Sequence, residues 1–158
     1  MKPKLIFSDA DVGWVTALQT GFDARQDIRA VVLQRGELMR LPGLDAIFLT
    51  VMAAERLGAK PIPHQAQVLA TGPDDRERGY PPFVVAGVAL HRGEDARDVR
   101  LGLAAIVTAV VEAVARHNSR GASPIRTVGL GPEWVRMKEL SPEDAAQIIC
   151  AAYDKAED

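Results

Sequence analysis

The segment Leu44-Asp45-Ala46-Ile47-Phe48-Leu49-Thr50-Val51-Met52 decides the fold class of this chain. Its run of apolar and β-branched side chains predicts a buried strand from Asp45 to Val51. An acidic residue opens the strand, and apolar residues continue past Thr50, where a polar ligand contact would be expected. We interpret Met52 as core filler, because methionine packs well into irregular gaps, with an apolar ligand contact as the alternative.

Length and composition predict one globular domain over residues 1–158. Hydrophobic residues make up 47% and charged residues 25% of the chain, as is usual for soluble proteins. The formal net charge of -2 disfavours nucleic-acid binding through bulk electrostatics. The longest apolar stretch, Val99 to Ala115, is too short for a bilayer and contains Arg100 and Glu112, so we expect no membrane span. The amino terminus runs directly into a short apolar strand, which favours a cytoplasmic protein.

The residues that could bind a metal or form a disulfide are few. Cys150 is a single cysteine, which excludes an internal disulfide and a cysteine-based zinc site. His64, His91 and His117 are scattered, without the spacing of metal ligands. The sequence therefore predicts no metal and no cofactor.

Apolar periodicity predicts alternating strands and helices. Helices are expected after Asp9 or Asp11 and after Ser141, because these side chains can accept hydrogen bonds from the free N–H groups of a first turn. A helix is also expected at Asp95 and Asp98, because acidic residues favour the amino end of a helix. A short helix is expected over 52–57 and a polar loop over 72–82. The predicted strands are Leu5–Phe7, Ile28–Leu33, Asp45–Val51, Ala66–Ala70, Phe83–Leu90 and Ile125–Val128. This order indicates a three-layer α/β/α fold with a mixed central sheet.

Several short motifs follow one another in a recognisable order. They are Gly36-Glu37-Leu38, Asp45-Ala46-Ile47, Gln65-Ala66 with Thr71-Gly72, and Ile125 to Gly131 followed by Ala145-Ala146 and Ala151-Ala152-Tyr153. Together they resemble the macro domain, an ADP-ribose-binding α/β fold, in a branch whose members begin with an extra strand and helix. The resemblance covers nearly the whole chain. It implies a ligand site for a nucleotide or an ADP-ribose-like small molecule.

The chain departs from the family where the ligand would bind. The family has an Ala-Asn pair after its Asp-Ala-Ile strand, and that Asn holds ribose hydroxyls, whereas this chain has Val51-Met52. A ribose hydroxyl left unpaired would cost about 1–3 kcal/mol. The glycine-rich loop that follows in the family is replaced here by residues 53–56, which contain no glycine. The resemblance therefore implies a degenerate ADP-ribose site.

The second phosphate loop of the family is partly retained. Gly129 and Gly131 are present, but Pro132 removes an N–H donor and Glu133 adds a negative charge. The two glycines could cradle an anion or could be ordinary turn residues, and both interpretations stay equally open. Trp134, Arg136 and Glu37 could stack on or contact a ligand, or could be surface residues. The candidate ligand contacts are Glu37, Thr50, Met52, Gly129, Gly131, Trp134 and Arg136.

We assign no catalytic residue from the sequence. Asp9-Ala10-Asp11 resembles the acidic motif of haloacid-dehalogenase-like phosphotransferases, but Gly13 and the lack of a second acidic pair favour helix capping. Ser8 lacks a nucleophile-elbow context. Three functions are left open: a binding module with an altered site, an interaction or structural protein without a small-molecule site, and an ADP-ribosyl or phosphoester hydrolase. The sequence also leaves open whether the chain forms a homo-oligomer.

Overall fold

A computed structural model describes residues 2–34, 36–62, 65–88, 95–121, 123–131 and 140–157 of the chain, Ala96 by its backbone alone. The strands are β1 (Lys4–Asp9), β2 (Ile28–Val32), β3 (Ala46–Thr50), β4 (Gln67–Ala70), β5 (Phe83–Gly87) and β6 (Thr127–Leu130). The helices are α1 (Val12–Gly21), α2 (Pro73–Glu77), α3 (Ala96–Ser119) and α4 (Pro142–Lys155). Two 3₁₀ turns, Leu38–Arg40 and Glu55–Leu57, lie in the connections.

The six strands form one mixed sheet in the order β2-β1-β6-β3-β5-β4. Neighbouring strands pair in parallel, except that β4 at one edge runs antiparallel to β5. The connections from β1 to β2 through α1 and from β5 to β6 through α3 both step toward the β2 edge. Because parallel crossovers are right-handed, these two helices must cover the same face of the sheet. The connection from β2 to β3 steps the other way and therefore crosses the opposite face.

The helical face carries the larger core. Alternate strand residues such as Leu5, Phe7 and Phe48 point into it, as the two-residue period of a strand requires. They pack with buried residues of α1, α3 and α4, among them Leu18, Leu103, Val110 and Ile149. The helix α3 is buried along most of its length, as its apolar pattern predicts.

The opposite face is covered by a thinner layer. Ile6, Ile47 and Val84, the alternate residues of their strands, pack there against Leu38 and Leu57 of the two 3₁₀ turns. Short turns present fewer apolar side chains than a long helix, so this second core is smaller. The chain thus has the three-layer α/β/α arrangement with a mixed central sheet that the sequence predicts.

The helix starts agree with the sequence. The side chains of Asp11, Asp95 and Ser141 accept the backbone N–H groups of Trp14, Asp98 and Asp144, respectively. Each bond satisfies one of the N–H groups that a first turn leaves unpaired. Capping depends on residues three positions apart, which explains why these starts are readable from sequence.

Three local predictions were wrong. Residues 72–82 are not simply a polar loop, because they contain α2, whose Asp75 is buried. The predicted short helix over 52–57 is a turn followed by the 3₁₀ turn Glu55–Leu57, which ends at Gly58 with φ 92°. The last strand is shifted from 125–128 to Thr127–Leu130, so that Gly129 lies inside β6 rather than after it.

Candidate functional site

The carboxyl ends of β6 and β3 define the candidate ligand site. The chain leaving β3 passes to the thin layer, whereas the chain leaving β6 leads to α4 in the helical layer. Neighbouring parallel strands whose connections leave toward opposite faces create a crevice at their carboxyl ends, the usual ligand position in open α/β sheets. The register pairs Ile47 with Gly129, so that Thr50 and Gly131 both extend to this edge.

Asp45, the acid of the Asp-Ala-Ile motif, has a structural role at the other end of these strands. Its Oδ2 accepts the backbone N–H of Arg126 at 2.7 Å and that of Thr127 at 3.2 Å. Its backbone N–H donates to Thr127, and its carbonyl accepts from Phe83. Asp45 thus holds β3, β5 and β6 in register.

Gly129 is required for packing. A Cβ atom there would lie 2.9 Å from Leu38 Cδ1 and 3.1 Å from Leu44 Cδ1. The side of the strand where that atom would stand is therefore occupied by leucine side chains. Because Gly129 lies inside β6, it is not a turn glycine, and an anion-binding role for it stays a prediction. The same contact places Gly36-Glu37-Leu38 over β6, which brings two of the sequence motifs together.

The Glu37 carboxylate is used locally. Its Oε2 accepts the backbone N–H of Gln34 at 2.8 Å, and the residue begins the 3₁₀ turn Leu38–Arg40. It is exposed, and its second carboxylate oxygen has no hydrogen bond within the described ranges. The second oxygen of Glu37 can therefore still accept a hydrogen bond from a ligand while the first holds the N–H of Gln34.

Thr50 and Met52 form the rim next to β3. Thr50 is half-buried, and its Oγ1 accepts the N–H of Ala53 at 3.0 Å. Met52 is 86% exposed, so its interpretation as core filler was wrong. The turn from Thr50 to Ala54 points Met52 outward and buries Ala54 instead. The buried residue is therefore two positions after the one that the sequence predicts.

The remaining candidates divide between the described and the undescribed parts of the chain. Gly131 is buried directly after β6. Trp134 and Arg136 lie outside the described residues, as do His64 and His91, and their roles stay predictions.

The first strand brings polar side chains to the same edge, which the sequence did not single out as a site. Ser8 and Asp9 are 3% and 2% exposed. Asp9 Oδ1 accepts the N–H of Asp11 at 2.9 Å, and Ser8 Oγ approaches the carbonyl of Leu130 at 3.4 Å. Helix capping is confirmed for Asp11. Asp9 thus places a buried carboxyl group at the carboxyl end of β1.

Exposed aliphatic side chains surround this edge. Four exposed side chains lie at the carboxyl ends of four strands. Val32 ends β2, and Val12, Met52 and Val88 come shortly after the ends of β1, β3 and β5. We call these four residues the aliphatic rim. One exposed aliphatic side chain therefore lies at each of four strand ends, which makes this edge partly apolar.

An ion pair ties the thin layer to α2. Arg56 Nη1 donates to Asp75 Oδ1 at 2.5 Å, and the Arg56 guanidinium lies 5.4 Å from the Tyr80 ring centroid. Asp75 also accepts the N–H of Gly72 at 3.0 Å. The hydrogen bond from the Gly72 N–H, followed in size by the one from Arg56, lowers the pKa of Asp75. The hydrogen bond to Asp75 raises the pKa of Arg56. Arg56 is therefore already engaged by the Asp75 carboxylate.

Neither a metal centre nor a membrane span is found in the part of the chain that the structure describes. There, no three His, Cys, Asp or Glu side chains are grouped so that they could hold a metal ion. No described helix has both the length and the hydropathy that a bilayer crossing requires. Comparisons with family models, curated proteins and solved structures give no match to this chain.

Proposed function

We propose that the chain is a macro-domain-like binding module whose ADP-ribose site is altered, so that it binds a nucleotide or ADP-ribose-type ligand weakly. One observation carries the proposal: Leu38, from the Gly36-Glu37-Leu38 motif, packs on Gly129 in the strand beside the Asp-Ala-Ile strand. Motifs far apart in sequence thus meet on neighbouring parallel strands. The proposal includes a cytoplasmic location, where the single Cys150 would stay reduced.

The expected weakness has two physical reasons. The rim supplies the thioether of Met52 where an amide would pair with ribose hydroxyls, and a thioether accepts hydrogen bonds poorly and donates none. Asp9 and Glu37 also place acidic side chains near the edge, and these disfavour a diphosphate.

Restoring the missing amide is the most direct test. Val51→Ala with Met52→Asn recreates the family's Ala-Asn pair, and the exposure of Met52 leaves room for the change. We expect ADP-ribose affinity, measured by titration calorimetry, to rise about tenfold or more over the wild type. The matched control, Val51→Ala with Met52→Ala, removes the same side chains without adding an amide and should not gain affinity.

The outcomes distinguish the hypotheses. Low-micromolar binding of ADP-ribose by the wild type would contradict the altered site. Equal affinities in the Asn variant and its control would place the ligand elsewhere and contradict the proposed binding mode.

The aliphatic rim favours a second function, a non-catalytic interaction protein without a small-molecule site. Four exposed aliphatic side chains at one sheet edge can pack against a partner protein or a second copy of this chain. Sedimentation of the wild type against a Val32→Asp/Val88→Asp variant tests self-association. A dimer that the double substitution dissociates supports this function, and an unchanged monomer contradicts self-association through the rim.

A further inference from the structure

The opposite, amino end of the sheet carries a basic depression. It has a volume of about 380 Å³, is open to solvent, and is lined by Lys4, Gln19, Arg25, Gln26 and Arg29. Lys4 begins β1, Arg29 lies in β2, and the other three belong to α1 or the loop between α1 and β2. Three lining side chains are cationic, two are amides, and none is a carboxylate.

The positive charges of the depression are only partly neutralised. Arg25 donates to Asp27 and to Asp154, with Arg25 Nη2 2.7 Å from Asp154 Oδ1, and these bonds raise the pKa of Arg25. Arg25 is therefore held in place by two carboxylates and does not supply an unpaired positive charge. Lys4 and Arg29 make no ion pair with any residue of the described ranges. Within the part of the chain that the structure describes, neither cation is therefore paired with a carboxylate, and Arg29 is exposed.

The amides add hydrogen-bond donors to these two cations. Gln19 Oε1 accepts the backbone N–H of Ala30 at 2.8 Å, which commits the oxygen and leaves the Nε2 group to donate. Gln26 is exposed in the loop and carries a second NH₂ group. Ammonium, guanidinium and amide groups thus all belong to residues that line one depression, and they are donors of the kind that phosphate oxygens accept.

The hydrogen bond from the Ala30 N–H to Gln19 restricts which kind of ligand can bind. β2 is the outer strand of the sheet, and its free edge could in principle pair with another strand. Gln19 already occupies the outward N–H of Ala30, and both Ile28 and Ala30 are buried. An extended peptide therefore cannot pair along β2, and a small ligand fits better.

We propose that this basic depression binds a compact dianion of the phosphate class, such as inorganic phosphate or a phosphate monoester. Its volume is near the lower end of the range of ligand pockets, about 300–1,000 Å³. Two free cations can neutralise one dianion but not the backbone of a nucleic acid, which needs many phosphate contacts. The depression lies at the opposite end of the strands from the candidate ligand site. Its proposed role does not depend on the function proposed for that ligand site.

An NMR titration of the full chain with phosphate and with pyrophosphate, at constant ionic strength set by chloride, tests the proposal. We expect saturable shifts of the Gln19 and Gln26 side-chain amide resonances, with a Kd of about 1 mM or lower. Lys4→Gln with Arg29→Gln should weaken binding about tenfold or more, because both charge-assisted contacts are lost. Gln26→Glu, which is nearly isosteric and adds a negative charge, should also weaken it.

A charge-matched control separates a site from general attraction. Arg97→Gln with Arg116→Gln removes two exposed arginines of α3 and should leave the Kd within about twofold. The proposal is overturned if no shift saturates by about 10 mM phosphate. It is also overturned if the Lys4/Arg29 variant binds like the wild type, or if the control variant loses as much affinity. Tight binding of an oligonucleotide without phosphate binding would overturn it in favour of a polyanion surface.

Discussion

The carboxylate of Asp45 accepts the backbone N–H of Arg126 at 2.7 Å, across 81 positions of sequence. This bond and the neighbouring one from Thr127 fix the start of β6 against β3. The acid of the Asp-Ala-Ile motif thus acts at the amino end of the strands, away from the candidate ligand site.

Removing this carboxylate should lower stability without a direct effect on ligand binding. We expect Asp45→Ala to reduce the free energy of unfolding by about 1–3 kcal/mol, because two backbone N–H groups lose their acceptor. Asp45→Asn keeps one oxygen acceptor and should lose less. Urea unfolding measures both, with Glu157→Ala as the control for an exposed acid. A loss in Glu157→Ala as large as in Asp45→Ala would contradict the role of the bond.

A second prediction concerns the contact between α1 and α4. A Cβ atom on Gly21 would lie 2.4 Å from the Cβ of Ala146, which is fully buried in α4. Because neither atom can rotate away, we expect Gly21→Ala to destabilise the protein by about 1–3 kcal/mol.

Gly13 provides a matched control in the same helix. An added Cβ there meets only Asp11 Oδ1, at 3.4 Å, so Gly13→Ala should be neutral or stabilising by up to about 1 kcal/mol. Thermal and urea unfolding of both variants distinguish the two positions. Equal effects would show that helix propensity, not the contact with Ala146, governs Gly21.

A third prediction separates packing from anion binding at Gly129. Gly129→Ala must displace the Leu38 side chain, which we expect to cost about 1–3 kcal/mol of stability. Leu38→Ala removes the nearest atoms, so the cost of Gly129→Ala should shrink in that background. A double-mutant cycle in urea measures the coupling. If instead Gly129→Ala leaves stability unchanged and abolishes ligand binding, the packing role is wrong.

The ion pair between Arg56 and Asp75 predicts a pH dependence. The pKa of Asp75 in the folded protein lies below its ordinary value of 3.8. The folded state therefore binds fewer protons at Asp75 than the unfolded state. The contribution to stability is present above about pH 4 and is lost as the pH falls through the lowered pKa.

Asp75→Asn tests this dependence, because the amide oxygen can still accept from Gly72 but carries no charge for Arg56. We expect the variant to be less stable than the wild type at pH 7, and the difference to narrow below about pH 4. Urea midpoints measured from pH 2 to 7 provide the comparison. Asp74→Asn, at the exposed neighbouring acid, should not show this narrowing to the same extent. A difference that is constant across the range would contradict the lowered pKa of Asp75.

Much of the fold was predictable because its signals are local. The caps at Asp11, Asp95 and Ser141 bond groups three positions away, and the alternation of Leu5, Ile6 and Phe7 between the two cores follows from the strand period. The strand order was not predictable, since it depends on which faces the connections cross. At the candidate site, the resemblance named Glu37, Thr50, Gly129 and Gly131 as ligand contacts, which stays a prediction. It could not show that leucine side chains cover Gly129.

By itself, the amino-acid sequence determined the order of the six strands and the three longer helices, and the three-layer α/β/α class, because these follow from periodicity and short-range hydrogen bonds. Tertiary structure alone decided that Met52 points into solvent, that Asp75 is buried beside Arg56, and that Leu38 covers Gly129. The last two depend on contacts between separate segments of the chain, and the first depends on the turn from Thr50 to Ala54. Neither spacing nor side-chain type specifies these arrangements.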